Sequence, residues 1–214
     1  QERLWFLDRL QPGNTVYSRP LALRLRGPLD ERAMERALGE MVRRHEVLRT
    51  VYAERDGVPV QVVRPADGFT LPVTDLTAID DEAAREAEAR RLVAEDGLRP
   101  FDLAAGPVFR PGLLRVGAED HVLFLSQHHI AHDGWSLGVM FGELQALYPA
   151  FAEGRTPALS EPRVQYADYA AWQREYVAGE VLDEQLAWWK DRLAGAPALL
   201  ELPTDHARPA VPSH

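Results

Sequence analysis

Apolar and polar positions follow two periods along the chain, and each period predicts elements. Leu21, Leu23 and Leu25 alternate with Ala22, Arg24 and Arg26, the pattern of a half-buried strand, and Gly27-Pro28 ends it. Asp30 then stands as an N-cap ahead of Ala33, Met34, Ala37, Leu38, Met41 and Val42. Their spacing of three and four makes an amphipathic helix of about four turns. VLRTVYAE and VPVQVVR are rich in β-branched residues, and the Asp56-Gly57 step between them predicts an antiparallel hairpin. Residues 78–96 read as a mostly solvated helix with a sparse stripe of Ile79, Ala83, Ala87 and Leu92, closed by Gly97 as a C-cap.

PVFRPGLLRV and HVLFLSQHH flank a polar turn at Gly117 to Asp120. The second is apolar enough for the central strand of a covered sheet, whereas Pro111-Gly112 marks the first as an edge or bulged strand. WSLGVMFGELQALYPAFAEG reads as a buried helix. Tyr166 to Gly179 and Val181 to Leu193 read as two more, with Trp172, Trp188 and Trp189 along their apolar sides. The Pro-punctuated stretch 154–163 reads as a linker, and no internal repeat is evident. The order βα, ββ, α, ββ, α predicts an α/β fold, a mixed β-sheet with helices packed on it.

Composition narrows the function. With 46% apolar and 27% charged residues, 214 residues can fill a core without metals or disulfides. The lack of cysteine excludes disulfide frameworks, thiolate zinc sites, Fe–S clusters and Cys nucleophiles, and fits a cytoplasmic compartment. A net charge of -9 with a single lysine, Lys190, argues against a nucleic-acid footprint. No long apolar run, secretory signal or transit pattern is present, so no membrane association is expected. The chain starts at Gln1 without an initiator Met and finishes in Pro-rich LPTDHARPAVPSH, which reads as a piece of something longer.

Candidate chemistry concentrates in SQHHIAHDGWS, residues 126–136, where a strand delivers His128, His129, His132 and Asp133 into a Gly-containing turn that starts a helix. Open α/β sheets bind ligands at such strand ends, and imidazole exchanges protons near pH 7. Three readings stand at this point. One is acid/base or positioning chemistry. A second is a metal site on His129 and His132, disfavoured because Asp133 directly beside His132 converges poorly. The third is a set of satisfied turn histidines with Asp133 in a buried ion pair.

His128-His129-Ile130-Ala131-His132-Asp133-Gly134 resembles the HHxxxDG signature of the condensation domains of nonribosomal peptide synthetases, chloramphenicol acetyltransferase-like acyltransferases. Gln1 to Leu7 is similar to the end of that family's first motif, and Arg44-His45-Glu46-Val47-Leu48-Arg49-Thr50 to its second. Tyr166 to Trp172 is similar to its YxDYAxW motif, and Leu186 to Pro209 to its LPTDxPRP segment. Together the matches span nearly the whole chain.

The resemblance implies an N-terminal lobe of the chloramphenicol acetyltransferase type over residues 1–160, and a helical crossover over 161–214 toward a second lobe outside the chain. It implies amide formation between an acyl or peptidyl thioester donor and an aminoacyl thioester acceptor. Both would be delivered on the phosphopantetheine arms of carrier proteins, with no cofactor bound directly and no metal.

By the same resemblance His129 is catalytic, as a base or as a stabiliser of the intermediate, with His128, Asp133 and Gly134 supporting it. Gly134 would suit a sharp turn and place its N–H toward an oxyanion. Asp133 would form a structural ion pair with Arg44, and Arg49 carries little. Asp133-Gly134-Trp135-Ser136 resembles the amide-forming members, with a leaning toward an L-configured donor.

Implied partners are carrier protein domains, an adenylation domain and the second lobe in the same megasynthase. The 214-residue piece by itself is expected to be inactive. Alternatives of another class are a non-catalytic carrier-docking lobe and a stand-alone thioester-dependent acyltransferase. Trp135, Trp172, Trp188, Trp189, Tyr166 and Tyr169 are expected as core aromatics at helical spacing, with parts of Trp188 and Trp189 left for the second lobe to cover.

Overall fold

A computed structural model describes residues 1–199 and 202–207. The chain divides into two units, Gln1–Gln165 and Tyr166–His214, a boundary five residues beyond the 160/161 division expected from the sequence.

The first unit contains α1 (Glu2–Leu10), β1 (Ser18–Arg26), α2 (Glu31–Arg44), β2 (Thr50–Arg55), β3 (Val58–Val63) and β4 (Val73–Asp75). It continues through α3 (Glu82–Leu98), β5 (Phe109–Gly117), β6 (Asp120–His128) and α4 (Gly134–Ala152). The second unit holds α5 (Tyr166–Tyr176) and α6 (Gly179–Arg192). No described helix is long and apolar enough to cross a membrane.

The main sheet has the order β1-β6-β5-β4, with β6 antiparallel to both β1 and β5 and β4 parallel to β5. It is therefore mixed. β2 and β3 form a separate hairpin in which Arg55 pairs Val58 across a two-residue turn. Asp56 (φ 52°) and Gly57 (φ 78°) take the left-handed conformation there that a tight hairpin demands.

Strand alternation decides which helices cover which face. Leu113, Leu123 and Leu125 project to one side and pack with Met34, Leu38 and Met41 of α2 and Leu144 and Leu147 of α4. Leu114, Val116 and Val122 project to the other side and pack with Ala89 of α3 and Leu76. Two covered faces explain why β6 reads as an almost continuous apolar run. The Asp30 carboxylate accepts the Ala33 N–H at 3.0 Å, the cap the sequence predicts.

Several details differ from the sequence reading. Gly97 is not a cap; it lies inside α3, where a Cβ would come within 2.8 Å of the Pro20 ring, so the glycine permits close approach of α3 to β1. Pro111-Gly112 makes β5 neither an edge strand nor bulged at that step: β5 lies between β6 and β4, and its register shift falls between Arg115 and Gly117. Gly112 instead lies opposite Phe124, whose ring covers it; a Cβ there would stand 2.1 Å from Cζ of that ring. Gly112→Ala is therefore expected to swing Phe124 off the strand and to cost about 1–3 kcal/mol. Chemical denaturation of the complete domain, with Phe124→Leu/Gly112→Ala as the relieved partner, checks this.

The expected core aromatics are not core. Trp135 is 84% exposed, Trp172, Trp188 and Trp189 are each more than half exposed, and no residue of α5 or α6 is buried. Within the second unit these rings pair with one another. Trp172 stacks on Tyr176 with centroids 5.0 Å apart, and Trp188 meets Trp189 edge-on at 4.8 Å.

Candidate active site

β6 ends at His128, α4 begins at Gly134, and residues 129–133 form the turn between them. Beneath the turn, Ile130 and Ala131 are buried with Tyr52, Phe101, Leu103 and Val108. The Gln1 side chain at the head of α1 donates to the Ile130 carbonyl at 2.8 Å and to the Tyr52 hydroxyl at 2.9 Å. The turn is thus pinned from below by packing and from the chain start by an amide.

The three imidazoles have distinct environments. His128 is 2% exposed, packed edge-on by Phe101 at 5.9 Å and tilted against Tyr17 at 6.2 Å. Its Nδ1 accepts the Ile130 N–H at 3.1 Å, so the neutral ring carries its proton on Nε2. Burial first, then the neighbouring His129 and His132, pulls its pKa down to about 4. His128 is a neutral, structural ring throughout the physiological range.

His129 is half-buried, and its backbone N–H donates to the Tyr17 carbonyl at 2.9 Å. Its Nδ1 lies 3.1 Å from the His132 carbonyl. A carbonyl only accepts, so Nδ1 bears the hydrogen and Nε2 of the neutral ring keeps its lone pair. The His132 Nδ1 likewise donates to the His128 carbonyl at 3.1 Å. The His129 and His132 rings stack face to face, with centroids 4.7 Å apart and planes 18° from parallel. Rings stacked in this way do not converge on one point, and among the described residues no group of three His, Cys, Asp or Glu side chains is arranged to hold a metal ion.

Asp133 is the N-cap of α4. Its carboxylate accepts the Ser136 N–H at 2.8 Å, and Ser136 Oγ accepts the Asp133 N–H at 2.7 Å, a reciprocal capping box. The Ser136 N–H and hydroxyl hold the Asp133 carboxyl below its ordinary range. Gly134 is the first helical residue; its φ is not positive and a Cβ would meet nothing within 4 Å, so the sharp-turn role expected for it is not one this chain requires.

The expected Arg44–Asp133 ion pair is not formed. Arg44, 4% exposed, donates to the Glu143 carboxylate at 3.1 and 3.2 Å and to the Ser160 carbonyl at 2.6 Å, while Asp133 is committed to the helix cap. The reason is the direction of α4: its third turn, at Glu143, meets the end of α2, and its N-terminus points elsewhere. His45 Nε2 joins the same carboxylate at 2.9 Å. Burial by itself would raise the Glu143 carboxyl, but the hydrogen bonds from Arg44 and His45 outweigh it and leave it lowered. Arg49 spans the Arg64 and Arg43 carbonyls and Glu46, a structural tie.

Sequence reasoning missed Glu143, and it placed Ser136 and Gln1 in motifs without the hydrogen bonds they make. Glu143 was findable as the only charged residue in the nineteen-residue α4, and Ser136 as the third residue after an Asp N-cap.

Capping by Asp133 carries a test. Asp133→Ala is expected to destabilise the domain by about 1 kcal/mol, whereas Asp133→Asn, which still accepts at the cap, should stay within a few tenths. Thermal unfolding with both variants distinguishes cap from chemistry. An Asn variant of normal stability and abolished activity would make the carboxylate a reacting group.

Known proteins share this framework. A family model described as Condensation domain matches residues 1–214. A linear gramicidin synthase from Brevibacillus parabrevis is 50% identical over 214 residues, all of this chain and 3% of that protein. Phosphinothricin tripeptide synthetase PhsC of Streptomyces viridochromogenes is 47% identical over 213 residues, 99% of this chain and 19% of that protein. Among solved structures, the complex of the X-domain and OxyB from teicoplanin biosynthesis matches with a TM-score of 0.83 and 34% identity, covering 98% of this chain and 45% of that one. The chain thus spans less than half of that solved chain and a small part of each synthetase. A match from the first residue to the last, on a fold shared with such structures, makes the chain a member of the condensation domain family of nonribosomal peptide synthetases.

Proposed function

We propose that the chain supplies the histidine-bearing part of a domain that forms an amide between two carrier-bound acyl groups. The observation that carries the reading is the tautomer of His129: with Nδ1–H held by the His132 carbonyl, Nε2 is the atom left to accept a proton.

In the proposed reaction the amine of the aminoacyl acceptor attacks the thioester carbonyl of the donor. The new C–N bond forms as the carbonyl π pair moves to oxygen. His129 Nε2 takes the proton released by the attacking nitrogen, or hydrogen-bonds the zwitterionic intermediate. Collapse breaks the C–S bond, and the proton passes to the departing thiolate, leaving an amide and a free carrier thiol. His128, neutral and buried, fixes the strand end; Asp133 fixes the start of α4; Gly134 begins that helix with open space at its Cα.

The arms that bring the thioesters are phosphopantetheine groups on carrier domains. An adenylation domain and the remaining half of the condensation domain in the same cytoplasmic synthetase complete the set of partners. The activity is assigned to the full-length protein and not to these 214 residues by themselves.

A single-turnover assay tests the reading. Full-length synthetase with chemically loaded donor and acceptor carriers is expected to yield the amide on the acceptor arm, detected by intact-protein mass spectrometry. Loaded carriers that persist with no amide would overturn it. That outcome would favour a second reading, a non-catalytic interaction lobe, which has the X-domain complexed with OxyB in its support. A stand-alone acyltransferase using a soluble thioester is disfavoured by the single lysine of the chain.

A further inference from the structure

The signature HHxxxDG leaves its third variable position open, and here it is filled by His132. A residue at that position needs only a backbone to supply the carbonyl that His129 Nδ1–H uses. The His132 side chain adds two contacts that a backbone cannot: its ring lies on the His129 ring at 4.7 Å and 18°, and its own Nδ1–H returns to the His128 carbonyl at 3.1 Å. Residues 128–132 are thereby closed by two imidazole-to-carbonyl hydrogen bonds, His129 to the His132 carbonyl and His132 to the His128 carbonyl, with the two rings stacked.

We propose that His132 is a positioning residue for His129, its stacked ring fixing the plane of the acting imidazole. The inference rests on the reading of His129 as the acting imidazole. A ring free to rotate about its Cβ would spend part of its time with Nε2 turned from the reacting nitrogen, and small errors of placement cost rate steeply. Beside the pair lie His128 on β6, Tyr17 ahead of β1 and Asp133 at the head of α4, among other neighbours.

The test uses the full-length synthetase with preloaded carriers, following single-turnover amide formation from pH 5.5 to 8.5. His132→Ala removes both side-chain contacts. It is expected to lower kcat about tenfold while leaving KM for the loaded acceptor within about twofold. His132→Phe keeps a stacking ring and should recover most of kcat; His132→Asn keeps a donor for the His128 carbonyl and should recover less.

Wild-type rates in all three variants would overturn the proposal. So would an equal loss in all three, without rescue by the stacking ring of Phe, which is the mark of a merely structural turn residue. If His129→Gln in parallel keeps its rate, the reading of His129 falls. If it is dead while the His132 variants behave as wild type, only the present inference falls.

Discussion

His129→Gln in the full-length synthetase is expected to lower single-turnover condensation by about a thousandfold, with adenylation and carrier loading unchanged. Glutamine offers an N–H for the His132 carbonyl in place of His129 Nδ1–H, so the turn keeps its tie, but nothing at the Nε2 position can take up a proton. General base catalysis by a positioned group is worth about a hundred- to ten-thousandfold, and the expected loss sits in the middle of that range. A residual rate within about tenfold of the native enzyme would assign His129 to positioning the intermediate and not to proton transfer.

The pH dependence sharpens this measurement. His128 is pulled to about 4, so it is neutral from pH 5 to 8 and cannot generate an acid limb there. The same shift has a consequence for folding. A histidine that is harder to protonate when folded makes the unfolded chain the better proton acceptor. Its contribution to stability is full above about pH 6.5 and is lost as pH falls from there toward 4.

The parts of the fold legible in the sequence are those set by neighbours a few residues away. Alternation along Leu21, Leu23 and Leu25 predicts β1 because each leucine faces the same side, and all three are half-buried while Ala22, Arg24 and Arg26 are exposed. Asp30 caps α2 and Asp56-Gly57 turns the hairpin for equally local reasons.

What was not legible depends on chain segments far apart in sequence. β4 is three residues long and owes its existence to parallel pairing with β5, which leaves no periodic trace. Gly97 looks like a helix stop because nothing nearby reveals Pro20 lying on it. The exposed tryptophans follow the helical spacing of core residues, yet spacing identifies only which face is apolar and not what covers it.

The site divides in the same way. His128, His129, Asp133 and Gly134 are contiguous, so the sequence brings them together without help from the fold, and the cap made by Asp133 and Ser136 is a three-residue pattern. The partner of Arg44 is 99 residues away, and adjacency to the histidines made Asp133 the more visible carboxylate. The better clue was burial: a single charge in an otherwise uncharged helix must find a partner or lose its charge, and Glu143 finds two.

Arg44→Ala is accordingly expected to destabilise the domain by about 3–4 kcal/mol, the second largest effect after loss of His129, and to do so far from the reacting atoms. The guanidinium is 4% exposed and Glu143 only 13%, so removing one partner strands a carboxylate that burial already penalises, with only His45 left to it. The cost extends to the chain leaving the first unit. Arg44 donates to the Ser160 carbonyl, its own carbonyl accepts from the Gln165 side chain at 2.8 Å, and Glu161 approaches the guanidinium at 3.9 Å. Limited proteolysis of the full-length protein should therefore show new cleavage between residues 155 and 165 in the variant.

Arg44→Met/Glu143→Leu, which removes both charges and keeps apolar volume, should recover most of the stability and leave the cleavage, because the tie to Ser160 is still missing. If the double variant is as unstable as Arg44→Ala, the loss comes from packing of the arginine stem and not from the stranded charge. If cleavage stays at its native level in both, the segment is held by Gln165 and its neighbours without the guanidinium.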